Sequence, residues 1–546
     1  MVSLLLGPML RYLSATEATV WVETDQACEV QVLGHRARTF HVDGKHYGLV
    51  AIRGLEPDSS TAYELTLDGI TAWPPPVSPF PAPRIQTLPI KGKVAIAWGS
   101  CRLTAPNELP YTLSVDEDER GSGVDALDAL TVRLRGQDPV QWPRMLLLIG
   151  DQVYADEVSP QTRGFIEARR DTRRPPGLEV HDVEEYSMLY REAWSSEAIR
   201  WLMSTVPSAM IFDDHDVHDD WNTSEAWIED MRRTDWWHDR IISGLWTYWI
   251  YQHLGNLSPD ELEDNELYQQ VLAADDGAPL LRAFAQDAER QGGGSLWSFS
   301  RRIAGARLVV IDGREGRVLS DGRRDMLDEY EWQWLERELT GDYDHVIIAS
   351  TLPVLLAPTL HYLEAWNEAL CQGAWGSLAA RWSERLRRAL DLEHWAAFQT
   401  SFHRLIDLIQ QVGSGGRGAP PASIVMLGGD VHQAYLETVE FRAGTEVRSN
   451  VYQAVCSPFR NQLGKRDRRM LRVVRRSRLI GRIARRLARL AGVSEPAARW
   501  RVLQPPTWKN QLGWLHLDGR DLRLAIETTR EGHAPELEIS LEHQLV

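Results

Sequence analysis

The sequence predicts a layered α/β (α+β) protein, a β-sandwich core with flanking helices, preceded by a small all-β domain. Three observations carry this. From Lys91 onward, short apolar runs recur and each ends abruptly in polar residues. Runs of four or five apolar residues bounded in this way suit strands buried on both faces. Helical stretches separate them, such as Leu327 to Leu339 and Leu386 to Ile409. Before Lys91 the pattern differs: apolar and polar residues alternate, as in half-buried strands.

In order along the chain, residues 1–72 read as a β-sandwich domain. Thr19-Val20-Trp21-Val22-Glu23 and Glu29-Val30-Gln31-Val32 alternate with period two. The turn Gly54-Leu55-Glu56-Pro57 ahead of Tyr63-Glu64-Leu65-Thr66-Leu67 resembles the fibronectin type III pattern, in which a Tyr hydroxyl pins a corner. Residues 73–90 are rich in proline and read as a stiff linker. Residues 91–546 form the main domain, with a basic helical insertion at 464–503. Its strands are predicted at Val94–Trp98, Met145–Ile149, Ala209–Phe212, Leu308–Ile311, Val346–Ala349 and Ile424–Leu427. The alternating stretches at 513–517, 522–527 and 537–541 supply closing strands.

Composition narrows the function. The chain has 546 residues and a net charge of −17, which disfavours a general nucleic-acid binder. No apolar run is long enough for a transmembrane helix. The N-terminus lacks the basic region of a signal peptide, so a cytoplasmic location is expected. Four dispersed cysteines, with no Cys-x-x-Cys, exclude a disulfide framework and a zinc ribbon.

Ligands in such sheets gather at the carboxyl ends of strands. The tails read Gly99-Ser100-Cys101-Arg102, Gly150-Asp151-Gln152-Val153-Tyr154, Asp213-Asp214-His215-Asp216, Asp312-Gly313-Arg314-Glu315 and Gly428-Gly429-Asp430-Val431-His432. One Gly-Asp after a strand is ordinarily a helix cap or a turn. Four Asp-bearing tails are different, because carboxylates gathered in one cleft raise each other's pKa and a cation relieves this. Oxygen donors with His suit Mn, Fe, Mg or Ca. A Tyr154 phenolate ligand would call for a strong Lewis acid such as ferric iron, with a Cys101 thiolate beside it.

Taken in order, Gly-Ser-Cys, Gly-Asp-x-x-Tyr-x-Asp, Asp-Asp-His-Asp and Gly-Gly-Asp-x-His after an N-terminal β-domain resemble the alkaline phosphatase D (PhoD-like) family of calcineurin-like metallophosphoesterases. The resemblance implies a phosphoric-ester hydrolase, a phosphomonoesterase or phosphodiesterase, using a metal-activated hydroxide at a dinuclear or trinuclear site. It implies Fe(III) with Ca(II) or another divalent cation. It implies metal ligation by Cys101, Asp151, Tyr154, Asp214, Asp430 and His432, and catalysis by His215 at the leaving group. The superfamily's further His ligand has no counterpart after the Val346–Ala349 run, which continues Ser350-Thr351. Asp312 and Arg314 read as structural, and Asn222 as an extra candidate ligand. The alternative is a catalytically degenerate relative that binds a partner or a membrane.

Residues 464–489 hold twelve Lys/Arg and one Asp, a local +11 that leaves −28 on the rest of the chain. Apolar residues are interleaved at roughly helical spacing, giving a basic amphipathic helix or helix pair. Three readings stay open. Its apolar face packs on the protein, with arginines toward solvent or the acidic body; or segment 464–492 makes peripheral membrane contact; or it gathers a polyanion. The substrate is correspondingly a phosphate-ester small molecule or an anionic phosphodiester polymer.

Overall fold

The computed structural model describes residues 2–291, 296–320, 322–442, 444–530 and 534–546. All six predicted core strands form, at Lys93–Gly99, Met145–Ile149, Ser208–Ile211, Ala306–Ile311, His345–Ser350 and Ser423–Gly428. They divide between two sheets. The first has six strands in the order 208–211, 145–149, 93–99, 511–518, 521–529, 537–544. The second has seven, in the order 299–303, 306–311, 345–350, 423–428, 450–456, 434–441, 498–502. The sheets meet where 93–99 and 511–518 lie against 450–456.

The six predicted core strands pair in parallel within their sheets, and their register brings their ends level. Gly99 pairs with Leu148, and Ile149 with Ile211. In the second sheet Ile311 pairs with Ser350, Ser350 with Gly428 and Gly428 with Val455. Every residue of Met145–Ile149, His345–Ser350 and Ser423–Gly428 is buried, as strands covered on both faces require. The polar tails therefore leave both sheets at one edge.

The N-terminal region is all-β, with two four-stranded sheets. Its tyrosine does not pin a corner of its own module. The Tyr63 hydroxyl donates to the Ser204 carbonyl at 2.6 Å, far along the chain. The proline-rich stretch is also anchored: Arg84–Gln86 pairs with Ser60–Ala62, and Phe80 stacks on Trp201 with centroids 5.1 Å apart. Two helical expectations are corrected. Leu386–Ile409 is not one helix; it breaks into Ser377–Ala389, a short turn at Trp395–Ala397, and Gln399–Ser414. The basic segment is the helix pair its sequence allows, Lys465–Arg476 and Arg478–Leu490, but the helical insertion is shorter than 464–503: residues 498–502 form a strand paired with 434–441. No helix among the described residues is long and apolar enough to cross a membrane.

Arg11 ties the N-terminal region to the core. Its guanidinium is buried without a carboxylate and donates to the carbonyls of Ser208 (3.0 Å), Tyr251 (2.8 Å) and Gln252 (2.6 Å). Arg11→Ala strands these acceptors, at ~1–3 kcal/mol for each one left unsatisfied. Thermal unfolding should show a clear loss of stability for Arg11→Ala and almost none for the exposed Arg36→Ala.

Candidate metal centre

The tails converge. One ligand atom from each of Cys101, Asp151 and Asp430 lies within 4.8 Å of the others, and so does one from each of Asp151, Asp213, Asp214 and Asp430. The two groups share Asp151 and Asp430. Cys101, Asp151, Asp213 and Asp214 are buried and Asp430 is half-buried. The buried oxygens Asp151 Oδ1 and Asp213 Oδ2 have no hydrogen-bond donor, and Asp214 Oδ1 has only the Arg314 guanidinium, 3.1 Å away. Asp214 Oδ2 accepts from the Asp220 amide at 3.1 Å.

The backbone at these positions is unusual. Cys101 (φ 57°), Asp151 (φ 52°), Asp430 (φ 61°) and His432 (φ 47°) all adopt left-handed conformations. Such residues cost ~1–3 kcal/mol each and persist where the surroundings over-determine them. Each lies just past a strand end, where the chain turns sharply. Gly150 is required by the same packing: a Cβ there would lie 2.8 Å from the Asp213 Cβ.

Around the thiol, Cys101 Sγ lies 3.3 Å from Asp151 Oδ2 and 3.1 Å from both Ser100 Oγ and Ser457 Oγ. Tyr154 is buried beside it, its hydroxyl 3.5 Å from Asp151 Oδ2 and accepting from Asn461 Nδ2 at 3.2 Å. Burial, then neighbouring carboxylates, push the Cys101 thiol and the acids Asp151 and Asp430 well above their ordinary ranges. Asp213 is raised to about 6, chiefly by burial, with Arg314 opposing. A site whose own charges are this costly suits a cation, and thiol, phenol and carboxylate together suit a strong Lewis acid beside a harder ion.

His215 stands over this cluster. Its Nδ1 lies 2.9 Å from both oxygens of Asp156, and its ring is 4.6 Å from that of Tyr154. Burial opposes the imidazolium, but Asp156, then Asp151 and Asp214, outweigh it and raise the His215 pKa well above its usual value. Asp156 is correspondingly held down to about 2 against its burial. His432 lies outside both ligand groups. Burial lowers it to about 3, with His215 adding to the effect, so this imidazole is neutral.

Asp312 and Arg314 are internal. Asp312 accepts the amides of Arg314, Glu315 and Gly316, at 2.8, 3.1 and 3.2 Å. Arg314 is fully buried and pairs with Asp213, with Asp214 at 3.1 Å and with Glu393 at 2.6 Å. Asn222 spends its amide nitrogen on the Arg314 carbonyl at 3.0 Å.

Sequence reasoning missed three groups. Asp213 enters the cluster alongside Asp214. Asp156 orients His215. His394 lies in the unforeseen break between helices, its Nδ1 2.9 Å from Glu364 Oε1 and its Nε2 3.9 Å from Asp430 Oδ2. That Nε2 is buried without a hydrogen-bond partner. The next residue, Trp395, donates to Ser350 Oγ at 3.1 Å, so His394 reaches the site beside the Ser350-Thr351 tail, which carries no acid or His of its own.

Residues 1–85 match a family described as Domain of unknown function (DUF7800). Residues 140–468 match the family described as PhoD-like phosphatase. No curated protein matches the sequence. Among solved structures, one titled Structure of PhoD is similar at a TM-score of 0.60 and 12% identity, over 100% of this chain and 90% of that one. The purple acid phosphatase PPD1 from yellow lupin seeds is similar at 0.49 and 10%, over 98% and 73%. The first likeness is one of fold, consistent with the level strand ends described above. The family match spans more than half of the chain and contains three of the four motif tails, so this protein belongs to the PhoD-like phosphatase family.

Proposed function

We propose that this protein is a metal-dependent phosphoric-ester hydrolase with a dinuclear site. The observation that carries the reading is the convergence of Cys101, Asp151, Asp213, Asp214 and Asp430, with a buried carboxylate oxygen on each of Asp151 and Asp213 lacking a donor. Cys101, Tyr154, Asp151 and Asp430 would hold Fe(III). Asp151, Asp213, Asp214 and Asp430 would hold Ca(II) or another divalent ion. When bound, such a pair of cations neutralises phosphate charge and activates water.

The chain's own groups do the rest. His215, kept protonated by Asp156, faces the cleft as a proton donor to the leaving oxygen. Arg314 offsets part of the charge of Asp213 and Asp214, so two cations need not balance four carboxylates unaided. His432, neutral and close to His215, is a candidate ligand or hydrogen-bond partner at the rim. His394 is a further candidate ligand, with Glu364 on its far nitrogen, as metal-bound imidazoles commonly have. Its place beside Ser350, where the superfamily histidine is missing, supports the catalytic reading over a non-catalytic protein.

Metal analysis of the purified protein, with turnover of a chromogenic monoester and diester, tests the whole. Bound metal with turnover of either ester supports the reading; protein that neither binds metal nor turns over either ester after reconstitution overturns it. Asp151→Asn should lose metal and activity together. His215→Ala should retain metal and lower kcat on an unactivated alkyl phosphate ~10²-fold or more. Unchanged turnover on that substrate would remove His215 from proton donation. Glu364→Gln, which leaves His394 in place but loosens its orientation, should weaken cation binding about tenfold, and His394→Ala should weaken it further. Equilibrium dialysis measures both, and unaltered affinity in His394→Ala excludes it as a ligand.

A further inference from the structure

The helices α1 (Pro358–Cys371), α2 (Ser377–Ala389), α3 (Lys465–Arg476) and α4 (Arg478–Leu490) carry an apolar surface that the fold leaves uncovered. Packing of the basic segment's apolar side chains on the body, one of the readings of its sequence, holds for only part of the apolar surface of α4. It seats on α1 through small residues. Ala484 and Ala488 are buried, and at Gly481 a Cβ would lie 2.8 Å from Thr359 Oγ1. Ile480 and Leu487 are half-buried, whereas Leu479 (66%), Ile483 (50%) and Leu490 (68%) are exposed.

On the other flank of α1, α2 repeats the arrangement. Ser383 and Arg387 are buried, whereas Leu378 (75%), Trp382 (72%) and the following Leu390 (55%) are exposed. Leu378 and Trp382, four residues apart, share one stripe of the helix, and Leu390 follows its end. The two flanks join at Trp375, whose indole lies 5.9 Å from that of Trp366 on α1 and donates to the Leu490 carbonyl at 3.5 Å.

Charge accompanies this surface. On α4, Arg485 and Arg489 turn back to Glu495, each 2.8 Å from its Oε1. Arg478, Arg482 and Arg486 do not. They are exposed, have no carboxylate partner among the described residues, and stand four residues apart beside the Leu479–Ile483 row. Arg466 and Arg469 on α3 are exposed and unpaired in the same way. An apolar stripe edged by arginines is the pattern of a helix lying in a lipid interface, its apolar side chains among the acyl chains and its guanidiniums at the headgroups.

We propose that this face docks the protein peripherally on an anionic lipid bilayer. The remaining −28 of charge would repel such a bilayer, so this is the face that can approach it. A second copy fits worse, because a self-complementary contact would set the same arginines against one another. Nucleic acid would engage the arginines but would leave the leucines and Trp382 in water. The proposal does not rest on the phosphatase reading, since none of these side chains belongs to the metal site.

Flotation of the full chain with vesicles tests it. The protein should float with phosphatidylcholine mixed with phosphatidylglycerol, remain unbound with phosphatidylcholine alone, and be released by high salt. Arg482→Gln/Arg486→Gln and Trp382→Ser/Ile483→Ser should each weaken vesicle binding about tenfold or more. Thermal unfolding and turnover of a soluble ester should stay as in the parent. Equal recovery with both vesicle types overturns the proposal. So does an apolar variant that binds as the parent does, or a dimer seen by light scattering that these variants dissociate.

Discussion

Everything at the candidate site follows from the mutual repulsion of buried acids. Asp151, Asp213, Asp214 and Asp430 meet at one edge of two sheets, with a thiol and a phenol beside them. Two unit charges 4 Å apart repel by ~4 kcal/mol at an effective dielectric of 20. One cation of the chain, the Arg314 guanidinium, is already committed to Asp213, Asp214 and Glu393. Asp151 and Asp430 have no such partner at equal distance. That asymmetry divides the cluster: one side is organised by the protein itself, and the other is built to receive positive charge from outside.

The strained backbone belongs to the same constraint. A ligand at the end of a parallel strand must turn its side chain across the sheet edge within one residue. Left-handed conformations at Cys101, Asp151, Asp430 and His432 accomplish this. Asp and His adopt the region more readily than Cys does. The strands behind are fully buried and paired on both sides, so their packing can hold a local cost of this size.

The core was legible in the sequence because a strand buried on both faces needs no periodicity to be seen; an apolar run ending in Gly-Asp suffices. Cys101, Asp151 and Asp430 were legible for the same reason. His394 was not. Its signal was one of two histidines, with His403, inside a stretch from Leu386 to Ile409 whose apolar spacing reads as one helix. The break around it depends on tertiary contacts, Trp395 to Ser350 and His394 to Glu364, that no local pattern encodes. The fibronectin-like corner failed for a related reason. Tyr63 sits where such a pattern predicts, but its hydroxyl bonds to Ser204 across the interface. The basic helices exposed a different limit: amphipathicity predicts two faces, and α4 has three. A narrow seam of Gly481, Ala484 and Ala488 is enough to seat it on α1, which frees the larger apolar side chains for another role.

Helix α1 joins the two halves of the molecule's chemistry. Glu364 faces the metal cluster and fixes His394, while Thr359 and Tyr362, within a turn or two, carry α4. Tyr362 donates to Glu495, the carboxylate that also holds Arg485 and Arg489. A short chain of packed and bonded side chains therefore runs from the arginine-rich surface to the wall of the cleft. Its parts are packed helices, a buried Glu364–His394 pair at the cleft end and the partly exposed pairs of Arg485 and Arg489 with Glu495 at the surface end.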